Sequence, residues 1–472
     1  MDFGAVMRAL GISGNLTLVS SRELVDKVNR AALRFERKEQ KQIFRYRKWP
    51  VPVTVPDVLP TAPVHVLREV GVATTFFDDP VFADAARLWA QLRYCATLAP
   101  HRGRMTLSAT AASSVVHHHK VAQSEYLGIG LALFVARHVL SEQYPGLDFQ
   151  AVDADVALRS GIPGVGAVRQ ASGVRVRPDY FLIGHPRNGG AVKIVVLECK
   201  GNHGNESLAV DQLAKACVQV RSVEIAGRGC LPSLMVASCL RQSGITVHVL
   251  DPPGEDELWS GSADELEREL NEELGEVPEP FTSERPGSEQ QDDAVDELAL
   301  FDRTLPVDVE ESDTSFPAEA RVLKIPQASQ KWFSHALARF GAASALLFAG
   351  AGRTAATYRP PPPRGGFTGL DEQSSASGDD AATAFDLGGG LHVMGTRSVL
   401  PLPDGGRFVV HRGLESGLYE QLAGQRLGSY LRSAPGVEER WRNGIPDEEF
   451  ARDAVSVGSD GTVLAVSLDR GR

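Results

Sequence analysis

The chain has no run approaching the ~18 apolar residues that a membrane-crossing helix needs, and its start, Met1-Asp2-Phe3-Gly4, lacks the basic and apolar regions of a secretory signal. A cytoplasmic protein without a membrane anchor is the expectation. Cysteine is scarce, with five residues at positions 95, 199, 217, 230 and 239. They form no Cys-x-x-Cys pair and no zinc spacing, and the count is odd, so buried free thiols are expected rather than a disulfide framework. An overall positive charge is absent too, the net being −11. That figure hides an asymmetry: residues 251–320 hold 24 Asp and Glu against three basic residues, and the remainder is 46 basic against 36 acidic. A basic folded part with an acidic linker is compatible with a nucleic-acid partner, because phosphate contact depends on where charge lies. A hydrophobic fraction of 43% and a length of 472 residues mark a globular chain too long for one core, hence several domains.

The stretch from Arg175 to Gln219 carries the nameable chemistry. Residues 174–183 and 192–200 are two β-rich runs joined by a Gly/Pro/Asn turn, a hairpin signal. Alternation places Arg175, Arg177 and Asp179 on one face of the first strand. It places Glu198 and Lys200 on one face of the second, with Cys199 pointing away. Paired strands lie roughly 4.8 Å apart, so the hairpin brings Asp179 close to Glu198. Two neighbouring carboxylates repel and need a cation; Mg²⁺ suits an oxygen donor set, takes one or two carboxylates and bridges to phosphate. Lys200 sets an ammonium beside them, able to orient water and offset charge developing on phosphorus.

Pro178-Asp179 followed by Glu198-Cys199-Lys200 resembles the signature of the PD-(D/E)xK nuclease superfamily. The resemblance implies an α/β restriction-endonuclease-like core, a mixed sheet flanked by helices in the order α-β-β-β-α-β. It implies Asp179 and Glu198 as ligands of Mg²⁺ (or Mn²⁺), the main-chain carbonyl of Cys199 as a third, and Lys200 as the catalytic lysine. It also implies an acid from the preceding helix, for which Glu125 is in the right place in the order. Gln212 on the following helix joins the catalytic candidates. Some relatives carry Gln-x-x-x-Tyr there, but Ala216 stands in place of the tyrosine.

The remaining chain divides by pattern. Residues 1–110 are a mainly helical region with a basic, aromatic stretch, in which Arg45, Arg47 and Lys48 lie among Phe44, Tyr46 and Trp49; such spacing suits nucleic-acid backbone contact, and equally a solvated helix with rings in the core. Five prolines in 50–63 indicate an extended connector. Residues 111–253 form the nuclease-like domain: a helix over 113–140, a first strand over 152–159, a loop at 161–166 able to close over substrate, the hairpin, a helix over 208–222 and two strands. On that helix Gln212, Lys215 and Gln219 share a face. His117, His118 and His119 are adjacent, whereas facing positions on a helix are three or four apart, so they mark a helix start rather than a metal site. Residues 254–320 read as an acidic helix and linker, 321–358 as an apolar helix, 359–388 as a Pro/Gly/Ser-rich linker, and 389–472 as a small α+β module.

These readings converge on a metal-dependent nuclease, with DNA as the expected substrate and genome defence or repair as the setting the resemblance implies. The alternative is an inactive nucleic-acid-binding or assembly module on a nuclease scaffold. A protein partner at the C-terminal module and a homodimer are the further partners considered.

Overall fold

The computed structural model describes residues 3–38, 42–75, 92–113, 115–154, 177–186, 193–225, 231–251, 323–325, 330–358, 382–388, 390–403, 405–444 and 454–469. It is an α/β structure. A ten-stranded mixed sheet has a main path in the order Leu98–His101 (β4), Arg104–Leu107 (β5), Gly14–Val19 (β1), Thr246–Asp251 (β11), Ser233–Cys239 (β10), Lys193–Asn202 (β8), Tyr180–Pro186 (β7) and Leu147–Asp153 (β6). Val51–Pro52 (β2) and Val58–Thr61 (β3) flank this path on β11 and β1. Val223–Ile225 (β9) pairs separately with Leu323–Ile325 (β12). A second, antiparallel sheet has the order Thr383–Asp386 (β13), His392–Pro401 (β14), Arg407–Glu415 (β15), Thr462–Asp469 (β17), Ala454–Val457 (β16).

The helices are Phe3–Gly11 (α1), Arg22–Lys38 (α2), Pro63–Ala73 (α3), Ala109–Ser113 (α4), His117–Gln143 (α5), Glu206–Gln219 (α6), Gln330–Phe348 (α7), Gly352–Ala356 (α8), Ser416–Ala423 (α9), Leu427–Ser433 (α10) and Val437–Gly444 (α11). They cover both faces of the large sheet, as a sheet with parallel strands requires. On one face Leu24 and Val28 of α2 and Ala209 and Leu213 of α6 pack on Ile194 and Val196 of β8. On the other, Val66 of α3 and Leu127 and Leu131 of α5 pack on Val195 and Leu197. β10, buried along its whole length, runs through the middle. The second sheet contributes to both cores, Val463 to one and Leu464 to the other.

Several expectations need correction. The N-terminal region is not a separate unit: its helices α1, α2 and α3 alternate with strands, and β1 lies between β5 and β11, so a division at residue 110 cuts through one sheet. Its signal was present as alternation in Leu16 and Leu18 (buried) against Asn15 and Thr17 (exposed). The proline-rich connector carries two short strands. The strand expected at 152–159 is formed earlier, at Leu147–Asp153. Ile325 belongs to a strand rather than to the apolar helix, because β12 finds β9 as a partner. In the C-terminal α+β module the helical segment is two helices, Ser416–Ala423 and Leu427–Ser433, broken where Gly424 is followed by Gln425 at φ 55°. Among the described residues no helix is long and apolar enough to cross a membrane.

Candidate active site

Alternation along β8 determines which groups reach the site. Ile194 and Val196 face α6, and Val195, Leu197 and Cys199 face α5. Glu198 and Lys200 therefore continue the α6 side beyond the apolar run. On β7, Phe181 and Ile183 share that side, and Asp179 precedes Phe181 by two residues. The antiparallel register pairs Tyr180 with Leu197, which sets Asp179 opposite Glu198 at the end of the ladder. The main-chain N–H of Cys199 donates to Asp179 Oδ2 at 2.7 Å. Lys200 Nζ donates to Glu198 Oε1 and lies 3.7 Å from Asp179 Oδ2. The three side chains thus converge.

Their electrostatics follow from burial. Glu198 is 0% exposed. Burial, and then the negative charge of Asp179, push its carboxyl well above the ordinary carboxylate range, against the pull of Lys200. Burial alone would lower Lys200, but the two carboxylates outweigh it, so its pKa is raised and the side chain stays an ammonium. Glu198 Oε2 is buried without a hydrogen-bond donor. Two carboxyl groups with one ammonium and an orphaned inward oxygen form a set to which a hard cation fits, with oxygen donors of the type Mg²⁺ and Mn²⁺ take. Among the described residues no three His, Cys, Asp or Glu side chains form a ready metal cage. The protein would accordingly supply only part of a coordination shell, as is usual for Mg²⁺.

The site opens into a cleft of about 580 Å³ lined by Asp179, Lys200 and Gln212, with Glu125 across from them on α5 and Asp153 at the end of β6. Glu125 is exposed and shares the cleft, but it makes no ion pair with Lys200 among the described residues. Asp153 was missed in the sequence. One aspartate at a strand end has no local pattern to mark it, and only the pairing of Asp153 with Tyr180 brings it beside Asp179. α5 approaches β8 at two glycines: a Cβ on Gly201 would lie 1.8 Å from the Ser124 carbonyl oxygen, and one on Gly128 2.8 Å from Gly201 Cα. Only glycine allows this contact, which holds the Glu125 turn over the strand end. Gln212 is engaged structurally, donating to the Gly201 carbonyl at 3.1 Å and accepting from Asn202 Nδ2 at 2.8 Å.

The expected nucleic-acid contacts separate. Arg175 and the 161–166 loop lie outside the described residues. Arg177 lines the cleft, and Gln219 Nε2 holds its carbonyl at 3.3 Å. Lys215 is exposed, 5.4 Å from the Phe35 ring centroid. Arg45 is exposed and paired with Glu36 at 2.7 Å. Arg47 and Lys48 must be corrected: they are 6% and 5% exposed. Arg47 donates to the Phe44 carbonyl at 2.5 Å and stacks on Trp49, and Lys48 Nζ donates to the Leu231 carbonyl and Ser233 Oγ. Long alkyl stems let these cations line the layer between helix and sheet, where each head meets one main-chain oxygen.

Comparison of the chain with protein-family models, curated proteins and solved structures gives no match in any of the three.

Proposed function

We propose that this chain is a metal-dependent nuclease on a restriction-endonuclease-like core, with DNA as its substrate. The observation that carries the reading is the convergence of Asp179, Glu198 and Lys200 at the ends of two paired strands, where Asp179 and Lys200 line an open cleft and Glu198 lies buried behind them. The order α5-β6-β7-β8-α6-β10, with the short β9 between α6 and β10 paired outside this sheet, antiparallel through β6, β7 and β8 and parallel from β8 to β10, supports it.

Asp179 and Glu198 would hold the divalent ion, which when bound supplies Lewis-acid stabilisation of charge on the phosphate oxygens and a water of lowered pKa. The neighbouring acids raise the pKa of Lys200, which suits an ammonium in the site. Its Nζ donates to a phosphoryl oxygen and offsets charge there. Cys199 N–H fixes the Asp179 carboxylate, and Gln212 fixes the main chain just past Lys200. Glu125 across the cleft and Asp153 beside Asp179 add acidic groups to its lining, suited to a second cation-bound water or to orienting the leaving group.

The test is incubation of the full chain with plasmid, linear duplex, single-stranded DNA and RNA in Mg²⁺ or Mn²⁺, beside Glu198→Gln and Lys200→Ala. Each substitution should lower cleavage by on the order of 10²–10³-fold or more. Cleavage persisting in both variants refutes the reading, and binding without cleavage under every metal favours the inactive scaffold.

A further inference from the structure

The geometry points to a basic strip along α2 and α6 that grips the phosphate backbone of the nucleic acid beyond the scissile bond; the assignment rests on the nuclease reading above. Arg30, Arg37 and Lys38 of α2 and Lys215 of α6 are all exposed. Of the five acids on the two helices, four are already engaged, and Asp26 alone is not. Lys27 holds both Glu23 and Glu206 at 2.7 Å, Arg34 pairs with Asp211, and Arg45 pairs with Glu36. Among the described residues Arg30, Arg37, Lys38 and Lys215 form no ion pair; Arg30 has Asp26 one turn before it, and the other three turn their charge to solvent. An ordinary solvated helix face interleaves its signs; here four of the five acids are consumed, and four positive groups remain against Asp26.

The strip is continuous with the cleft. The contacts of Lys27 with Glu206, Arg34 with Asp211 and Lys215 with Phe35 show α2 and α6 lying side by side in the same direction. Both helices cover the sheet face to which Asp179, Glu198 and Lys200 belong. Lys215 is the link. It lies less than one turn along α6 from Gln212, which lines the cleft, and four residues before Gln219, which holds the Arg177 carbonyl, while its ammonium reaches over Phe35. On α2, positions 30, 34, 37 and 38 recur at helical spacing and extend the ridge by about 12 Å, at ~1.5 Å per residue. That length matches roughly three to four base steps of one strand at ~3.4 Å each. A polyanion entering the cleft at Asp179 and leaving past Lys215 meets a positive group at each step.

The experiment measures binding of the full chain to a labelled duplex of roughly 30 base pairs in EDTA, where no cut occurs, between about 50 and 200 mM salt. The fourfold variant Arg30→Ala/Arg37→Ala/Lys38→Ala/Lys215→Ala is compared with Arg104→Ala/Arg397→Ala/Arg407→Ala/Arg440→Ala, which removes the same charge from exposed positions on β5, β14, β15 and α11. Each phosphate contact contributes about 0.9 to the slope of log affinity against log salt, so the strip variant should lose about 3.6 from that slope and weaken binding at least tenfold near 0.15 M salt. The second variant should retain the slope. Equal losses in both variants would reduce the effect to net charge and overturn the strip. No loss in the strip variant, with cleavage by the native chain still abolished by Glu198→Gln, would overturn the strip and leave the nuclease reading standing. A native chain that neither binds nor cuts nucleic acid would sink both. Competition by poly-glutamate as effective as by DNA of equal charge would assign the strip to an acidic peptide instead.

Discussion

A glutamate removed from water holds its proton unless a cation takes the proton's place, and Glu198 has Asp179 opposing its ionisation with Lys200 alone to offset it. Its folded pKa is raised above the unfolded value. The stability it contributes in metal-free protein is therefore fully present below the ordinary glutamate range and is lost as pH rises through the elevated value. Divalent ion reverses this by displacing the proton, so apparent affinity for Mg²⁺ or Mn²⁺ should rise with pH, by up to about tenfold per unit while one proton is released. Calorimetric titration at a series of pH values checks the slope. In Glu198→Gln the slope should vanish, and near pH ~8 without metal that variant should melt no lower than the native chain. A native protein whose melting temperature ignores added metal at every pH would contradict the assignment. At this scale the sequence was legible where a property is local: alternation and one turn set Asp179 against Glu198, although β7 begins only at Tyr180 and Asp179 lies just before it rather than within a strand over 174–183. It misled at Arg47 and Lys48, because the exposure of a cation depends on which carbonyls, here those of Phe44 and Leu231, happen to lie nearby.

Among the elements, α5 and β8 matter most to the cleft, since their contact fixes the width between Glu125 and Lys200. The Gly201–Gly128 approach leaves no room for a methyl group. Gly201→Ala must push α5 away from the strand end or tilt β8, at a cost of about 1–3 kcal/mol for overpacking. Urea unfolding should show that loss, and cleavage should fall by roughly 10²-fold, as expected when reacting groups shift by ~1 Å. A variant with native stability and native kcat/KM would show that the contact positions nothing. The His203 ring adds a second tie, with Nε2 3.1 Å from the Lys120 carbonyl oxygen. Elements with strong local patterns, such as the Ile194–Leu197 strand and the helix bearing Leu127 and Leu131, were readable in the sequence. β1 was overlooked because six residues between two helices gain meaning only from the partners they find at β11 and β5.

For the whole molecule, the second sheet is fastened to the large one by buried charge. Asp460, in the turn before β17, lies 3.5 Å from Arg68 of α3 and 3.5 Å from Arg137 of α5, and Glu69 pairs with Arg68 at 2.5 Å. Burial would raise the Asp460 pKa, but the two guanidinium groups prevail and hold it below the ordinary aspartate range. A depressed carboxyl stabilises above its unfolded pKa and loses that contribution as pH falls through the folded value. His65, beside Ser456 in the same interface, is held down to about 4 by burial and by Arg68. It likewise favours the folded state above its ordinary pKa of 6.5 and withdraws that support on acidification toward about 4. Stability should decline over that interval, and His65→Gln should flatten the decline in pH-dependent urea melts. Asp460→Ala leaves two buried guanidinium groups short of a partner and should cost about 3–5 kcal/mol. Because residues of both sheets share both cores, that loss should appear in one unfolding transition, and two separate transitions would show that the sheets stand alone. None of this docking was legible in the sequence, where Arg68 and Asp460 are ordinary charges in distant segments. The same long-range economy governs how the chain is made. β1 can complete its place in the large sheet only when β11 has emerged, so at ~5–20 residues per second it waits roughly 10–50 s on the ribosome with an unpaired edge. A newborn chain exposed for that long is a natural client for chaperones, and slow, aggregation-prone refolding from denaturant is its counterpart in the test tube.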